Sequence, residues 1–274
     1  MTFRNLMVRL NPAADNGPLL SLTAELAARL EARVIGIAAS CPYPASYSDS
    51  LAAVTAEAIA EVRGIIAASM QACEAQFRAA MKGRVKDAEW RSTVSANSVP
   101  AYLVQEARAA DLVILAHDET SGSSYAGAGE LAVRAGRPVL VVPKTLSSLR
   151  LRSAVIAWKD EREARRAVVD ALPLLKLAEK CTIVEITSLD GVGPCRQRLE
   201  DVAGWLASHG VSSEVAPVGV GGSHNLFLAD ELRRLAPDLV VAGAYGHNRL
   251  AEWVFGGVTR DILLQPEFCV LMSH

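Results

Sequence analysis

Two phrases of one pattern, DLVILAHD from Asp111 and DLVVAGAY from Asp238, stand at the same late step in each half of a 274-residue chain. Each is an apolar run opened by an aspartate, and each leads through a short helical pattern to a last apolar strand. An internal repeat of this kind limits the fold more than composition does, because both halves must solve the same packing problem. In the first half, strand patterns at Asn5 to Leu10, Val34 to Ala39, Trp90 to Val94, Asp111 to Ala116 and Pro138 to Pro143 alternate with helical ones at Gly17 to Glu31, Ser50 to Met81 and Ser98 to Ala109. In the second, strands at Ala154 to Trp158, Cys181 to Thr187, Ser213 to Val218 and Asp238 to Ala242 alternate with helices at Glu161 to Leu177, Arg196 to Ser208 and Leu226 to Leu235. Each half reads βαβαβαβαβ.

Alternation with continuous apolar strands predicts parallel sheets covered on both faces, with ligands beyond the carboxyl ends of the strands at a topological switch point. The expected fold class is α/β, two tandem five-stranded parallel-sheet, doubly wound domains. The polar and leucine-containing stretch Lys144 to Arg152 carries the boundary, giving domains at 1–148 and 149–274. Pro173 is expected to kink or shorten its helix. The segment His117 to Gly129 reads as a Gly/Ser-rich loop. The apolar stripe from Leu51 to Met81 is explained by core packing, and its length leaves part of it open to an oligomer contact.

With 51% apolar and 21% charged residues and a formal net charge of −2, the chain falls among soluble globular proteins and has no global pull toward nucleic acid or anionic membrane. The basic runs Arg162 to Arg166 and Arg233-Arg234 lie on helical patterns and read as solvated faces. No stretch reaches the ~18 apolar residues of a membrane span, and no leader pattern opens the chain, so a cytoplasmic, reducing setting is the expectation. Of the five cysteines, Cys181 and Cys269 lie in apolar strand patterns and read as buried reduced thiols.

The chemistry concentrates in Asp238 to Met272. Gly243 and Gly246 follow the apolar run Leu239 to Ala242, and Gly256 and Gly257 come after the next helical stretch. Backbone without side chains can approach a phosphate or ribose closely, although isolated glycines also serve plain turns. His247 follows the turn, where it would touch a ligand phosphate or stand solvated at a helix start. His117-Asp118-Glu119 has ligand chemistry, yet adjacent residues of an extended segment point to different sides, which disfavours a metal site. Ser223-His224 lacks an assigned acid, and neither a GxSxG elbow, a GxxxxGK[ST] loop nor a GxGxxG turn occurs. No catalytic residue is assigned.

On these residues the chain resembles a tandem universal stress protein, two such domains in one polypeptide. The family's nucleotide motif is Gly, two residues, Gly, nine residues, Gly, then Ser or Thr. Here Gly243-Ala-Tyr-Gly246, the nine residues His247 to Phe255, and Gly256 match it, and Val258-Thr259 follow. The resemblance implies an adenine nucleotide, ATP or AMP with Mg²⁺, near Trp158, Lys159, Ile186, Ala242, Gly243, Gly246, His247, Gly256, Gly257, Val258 and Thr259. Amides at a helix start would supply donors and partial positive charge for the phosphates.

Two positions depart from the family pattern. Gly257 stands where a hydroxyl residue is expected, and Lys159 stands where the family commonly has a first-strand Asp. The first half departs further: Ala116 and Glu119 replace the turn glycines, Asn11 replaces the Asp, and Gly127 and Gly129 are what remains of a phosphate loop. This half is therefore expected not to bind ATP. The implied function is a cytoplasmic stress-response protein with a regulatory nucleotide in its second half and little or no turnover, since no base or water-positioning group for phosphoryl transfer is identifiable. The alternative is an interaction protein with decayed pockets, acting through dimerisation or a protein partner. The resemblance also implies an intramolecular pseudo-dimer through Val139 to Val142 and Cys269 to Met272, and allows a homodimer.

Overall fold

The computed structural model describes residues 2–40, 56–94, 99–117, 124–221, 224–244 and 267–274. In order, its elements are β1 (Asn5–Leu10), α1 (Gly17–Leu30), β2 (Arg33–Ser40), α2 (Ala56–Met81), β3 (Ala88–Val94), α3 (Val99–Glu106), β4 (Leu112–Ala116), α4 (Ser124–Arg134) and β5 (Val139–Val142). They continue with β6 (Ser153–Ala157), α5 (Arg162–Leu175), β7 (Lys180–Ser188), α6 (Val192–Ser208), β8 (Glu214–Val220), α7 (His224–Leu235), β9 (Leu239–Gly243) and β10 (Cys269–Ser273). This is the α/β alternation expected from the sequence.

Contacts divide the chain into two compact units. One comprises Phe3–Ala116 with Thr145–Ser148, the other His117–Lys144 and Leu149–His274 with the first two residues. In the first unit β3, β2, β1 and β4 lie side by side and all pairs are parallel. In the second the order is β5-β10-β9-β6-β7-β8, parallel except that β5 runs antiparallel to β10, with Val141 opposite Val270 and Val139 opposite Met272. A strand encoded in the first repeat thus lies in the sheet of the second.

The repeated aspartate has a physical reason. In the first unit Asp111 Oδ2 accepts the backbone N–H groups of Arg4 and Asn5 at 2.8 and 2.9 Å, and Asp111 N–H donates to Asn5 O at 2.8 Å. In the second, Asp238 Oδ2 accepts from Arg152 and Ser153 at 2.7 and 3.2 Å, and its N–H donates to Ser153 O at 2.9 Å. Each carboxylate fastens the start of the central strand to its neighbour, so Leu6 lies opposite Leu112 and Ala154 opposite Leu239. A one-residue slip would turn every apolar side chain of the strand to the wrong face.

Helix α5 carries Pro173 near its end, buried with Leu172, Leu174 and Leu175, and stops at Leu175, two residues short of the expected Leu177. Sequence and structure differ at the starts of other helices. Helix α4 starts at Ser124, inside the segment read as a loop, so Gly127 and Gly129 belong to a helix and not to a phosphate loop. Helix α6 starts at Val192, four residues before the helix expected from Arg196. In the first unit the bare Gly36 admits α2: a Cβ there would stand 2.6 Å from the Phe77 ring, which in turn lies 5.6 Å from Trp90. The basic runs are ion-paired and solvated, with Arg165 to Asp160, Arg233 to Asp230 and Arg234 to Glu231. No helix among the described residues is long and apolar enough to cross a membrane.

Asp238→Ala should lower unfolding free energy by about 2 kcal/mol in a urea titration, since two backbone donors lose a charged acceptor. Asp238→Asn, which keeps one carbonyl oxygen, should lose less.

Candidate functional site

The switch point of the second unit lies between β6, which neighbours β7 on one side, and β9 on the other. Positions in register share a face, and successive positions alternate. Ala157 is opposite Ala242 on β9 and Val184 on β7, and Ile186 is opposite Val218 on β8. Ala157, Ala242, Val184, Ile186 and Val218 therefore line one face of the carboxyl edge. Two alanines side by side make a low floor, with the half-buried Ile186 and Val218 beside it.

The other face is committed to α5 and α6. A Cβ at Gly243 would stand 2.7 Å from both Ala164 N and the carbonyl carbon of Glu163, so the strand end and the first turn of α5 meet backbone to backbone. Glu185 on this face bonds Arg198 of α6 at 2.8 Å. Trp158 N–H donates to Val184 O at 2.8 Å, which continues the β6 ladder and turns the indole to the same side as Gly243. Its side chain is buried, and its Nε1 has no hydrogen-bond partner among the described residues.

Of the expected site residues, the structure brings Ile186 and Ala242 together on the open-floored face. Trp158 and the missing side chain of Gly243 lie toward α5. Lys159 sits in the β6–α5 turn, 71% exposed, with Nζ 2.7 Å from Glu161. Gly246, His247, Gly256, Gly257, Val258 and Thr259 lie outside the described residues. Ala157 and Val218 escaped the sequence reading; counting back two residues from the expected Lys159 reaches Ala157, but Val218 shows only through the β7–β8 register.

The first turn of α5 carries the ion pair of Arg162 with Glu163. Burial pushes the Glu163 carboxyl up, but the Arg162 hydrogen bond, its own backbone N–H and the charges of Arg162 and His274 outweigh that and hold it below its usual value. His274 Nδ1 lies 2.8 Å from Ala244 O, and its Nε2 lies 3.3 Å from Arg162 Nη2. Ser273 Oγ donates to the buried Asp170 at 2.6 Å, and Arg166 Nε donates to the same oxygen at 2.9 Å.

The corresponding turn of the first unit is closed differently. Asn16 is buried, accepts the Asn11 N–H at 3.0 Å and donates to Asn11 O and Ala14 O at 3.0 and 3.1 Å. Asn11 is thereby spent on the turn, its own Oδ1 accepting from Ala13 N at 3.0 Å. His117, after β4, is buried and donates its N–H to Val142 O at 2.7 Å. No group of three or more His, Cys, Asp or Glu among the described residues is arranged to hold a metal ion.

No family model matches this sequence, and no curated protein does either. Solved structures do. A universal stress protein from Archaeoglobus fulgidus DSM 4304 superposes with a TM-score of 0.73 at 12% identity, over 98% of this chain and 95% of the other. The chain has the universal stress protein fold. The match spans both repeats, as in the tandem arrangement. A functionally unknown protein, PA1789, from Pseudomonas aeruginosa PAO1 matches with a TM-score of 0.62 at 13% identity, over 99% of this chain and 92% of its own. At such identities the likeness carries the universal stress protein architecture, and the chemistry has to be argued from this chain's residues.

Gly243→Ala should destabilise by about 1–3 kcal/mol in urea titration, because the methyl meets backbone that cannot turn aside. Burial pushes the Cys73 and Cys195 thiols up to about 11 and the Cys181 and Cys269 thiols up to about 12. These four buried, free thiols should resist alkylation at pH 8 in the native protein and react once urea unfolds it, as mass spectrometry would count.

Proposed function

We propose that the second repeat, 149–274, binds an adenine nucleotide, ATP or AMP, as a regulatory ligand with little or no turnover, within a cytoplasmic stress-response protein. The observation that supports this reading most is the low floor of Ala157 and Ala242 at the switch point, with Ile186 beside it, directly ahead of the Gly243-Ala-Tyr-Gly246 motif. A planar base lies against small apolar side chains at low cost, while the phosphates take backbone N–H groups from the glycine segment. Strand alternation puts Trp158 on the opposite side from Ala157, and Lys159 is paired with Glu161. Glycines Gly246, Gly256 and Gly257, with His247, Val258 and Thr259, complete the proposed site, and Mg²⁺ would accompany ATP. The first repeat, 1–148, has no such role in this reading, since Asn11 is engaged with Asn16. Its strand β5 against β10 serves the pseudo-dimer of the two repeats.

The second reading is an interaction protein whose pocket has decayed, acting through dimerisation or a protein partner. The close contact of Gly243 with α5 favours it, because that contact explains this glycine without any ligand.

Calorimetric titration with ATP and with AMP should show one site per chain. Gly246→Glu should abolish that binding while circular dichroism stays unchanged. Silence of the unmodified protein at millimolar nucleotide would transfer the assignment to the second reading.

A further inference from the structure

Helix α2 turns Met70, Cys73, Phe77 and Met81 into the core of the first unit, and all four are buried. The side of a surface helix away from its core stripe ordinarily carries the charge. Here it is apolar. Ile65, Ala68, Ala72, Ala75 and Ala79 recur at alternating steps of three and four, and every one is exposed. On a helix they lie about 160° around the axis from the four buried side chains. Ile65 is 63% exposed, and Val62, on the shoulder of the same face, 42%. Between Glu61 and Arg78 this outward face carries no charge: its exposed flanks are Gln71 and Gln76, while Arg63 and Glu74 fall around the helix toward the core side.

We propose that this face is the contact surface for a second copy of the chain, the two α2 helices running antiparallel about a twofold axis beside Met70. Steps of three and four are the spacing with which one helix meets another along a seam, and alanines let the axes approach to about 8 Å. Charge selects the occupant and its direction. In the antiparallel alignment Ala68 faces the partner's Ala72, Ile65 faces the partner's Ala75, and Glu61 comes beside the partner's Arg78 at both ends of the contact. A parallel pair would instead set like charges together at each end. Gly64 fits the same arrangement: a Cβ there would meet nothing within 4 Å, so no contact inside this chain calls for a glycine in mid-helix. One turn from Glu61, it leaves room for the partner's Arg78 to pass. Arg78 already bonds Glu74 at 2.7 Å, and a guanidinium has donors enough for a second carboxylate. One helix pair is a small interface, so the dimer is weak and reversible. The seam lies in the first unit and needs no nucleotide, so its failure would leave the site proposed above untouched.

Sedimentation equilibrium of the full-length protein without nucleotide, from micromolar to millimolar concentration, should show a reversible monomer–dimer equilibrium. A chain that stays monomeric throughout leaves the seam to a helix of another protein, which overturns the proposal. Ile65→Glu and Ala72→Glu should each weaken association at least about tenfold, because each sets an unpaired charge in the seam, while circular dichroism stays unchanged. A dimer of unaltered strength in these variants uses another surface and equally overturns it. Direction is read by charge exchange: Glu61→Arg and Arg78→Glu should each weaken the dimer about threefold, as exposed ion pairs do, and the double variant should regain the original strength. Arg78→Glu also removes the Glu74 pair within the helix, which the exchange does not return, so recovery reports on the contact between chains alone. No recovery in the double variant refutes the antiparallel pairing. Should a glutamate in the seam prevent folding, the charge exchange still decides.

Discussion

The start of each central strand is held by one carboxylate, and the rest of the architecture depends on that grip. Asp111 and Asp238 each take two backbone N–H groups from the chain entering the central strand, at positions where these donors would otherwise stand unpaired beside the sheet. A carboxylate accepting from backbone is stronger than a neutral pair and fixes direction as well as distance. With β1 locked against β4 and β6 against β9, the alternation along all these strands is set, and so is the face each side chain meets.

From this register follows a division of labour in the second unit. One face of the carboxyl edge is occupied by α5 and α6, closely enough that Gly243 has no room for a methyl group. Buried charge on that side is paired: Glu163 with Arg162, Asp170 with Arg166 and Ser273, Glu185 with Arg198. Burying such groups is tolerated because each has a partner; removing one would strand the other. The opposite face of the carboxyl edge carries the small side chains of Ala157 and Ala242 in register.

The expected site residues separate along this division. Ile186 and Ala242 share the floor, while Trp158, one position from Ala157, turns to the helices because neighbouring positions of a strand point to opposite faces. Motif spacing runs along the chain and does not record this alternation across strands, which is why Trp158 joined the list and Ala157 and Val218 did not. Lys159, in the place of an expected acid, carries one beside it: Glu161, 2.7 Å away, lies two residues on and has no position in the motif. Gly127 and Gly129 show the converse, since a glycine pair that resembled a loop is taken up by α4.

Amino-acid order already contained the duplication, the α/β alternation, the apolar strands and the recurring Asp ahead of β4 and β9, because each of these depends on local periodicity and local hydrogen-bonding capacity. The family resemblance supplied the pairing of Val139 to Val142 with Cys269 to Met272, which β5 and β10 make; the sequence did not contain the backbone contact at Gly243 or the meeting of Ala244, Arg162 and His274. Those join residues distant along the chain, and their proximity is a consequence of strand order and register, which arise when the sheet assembles.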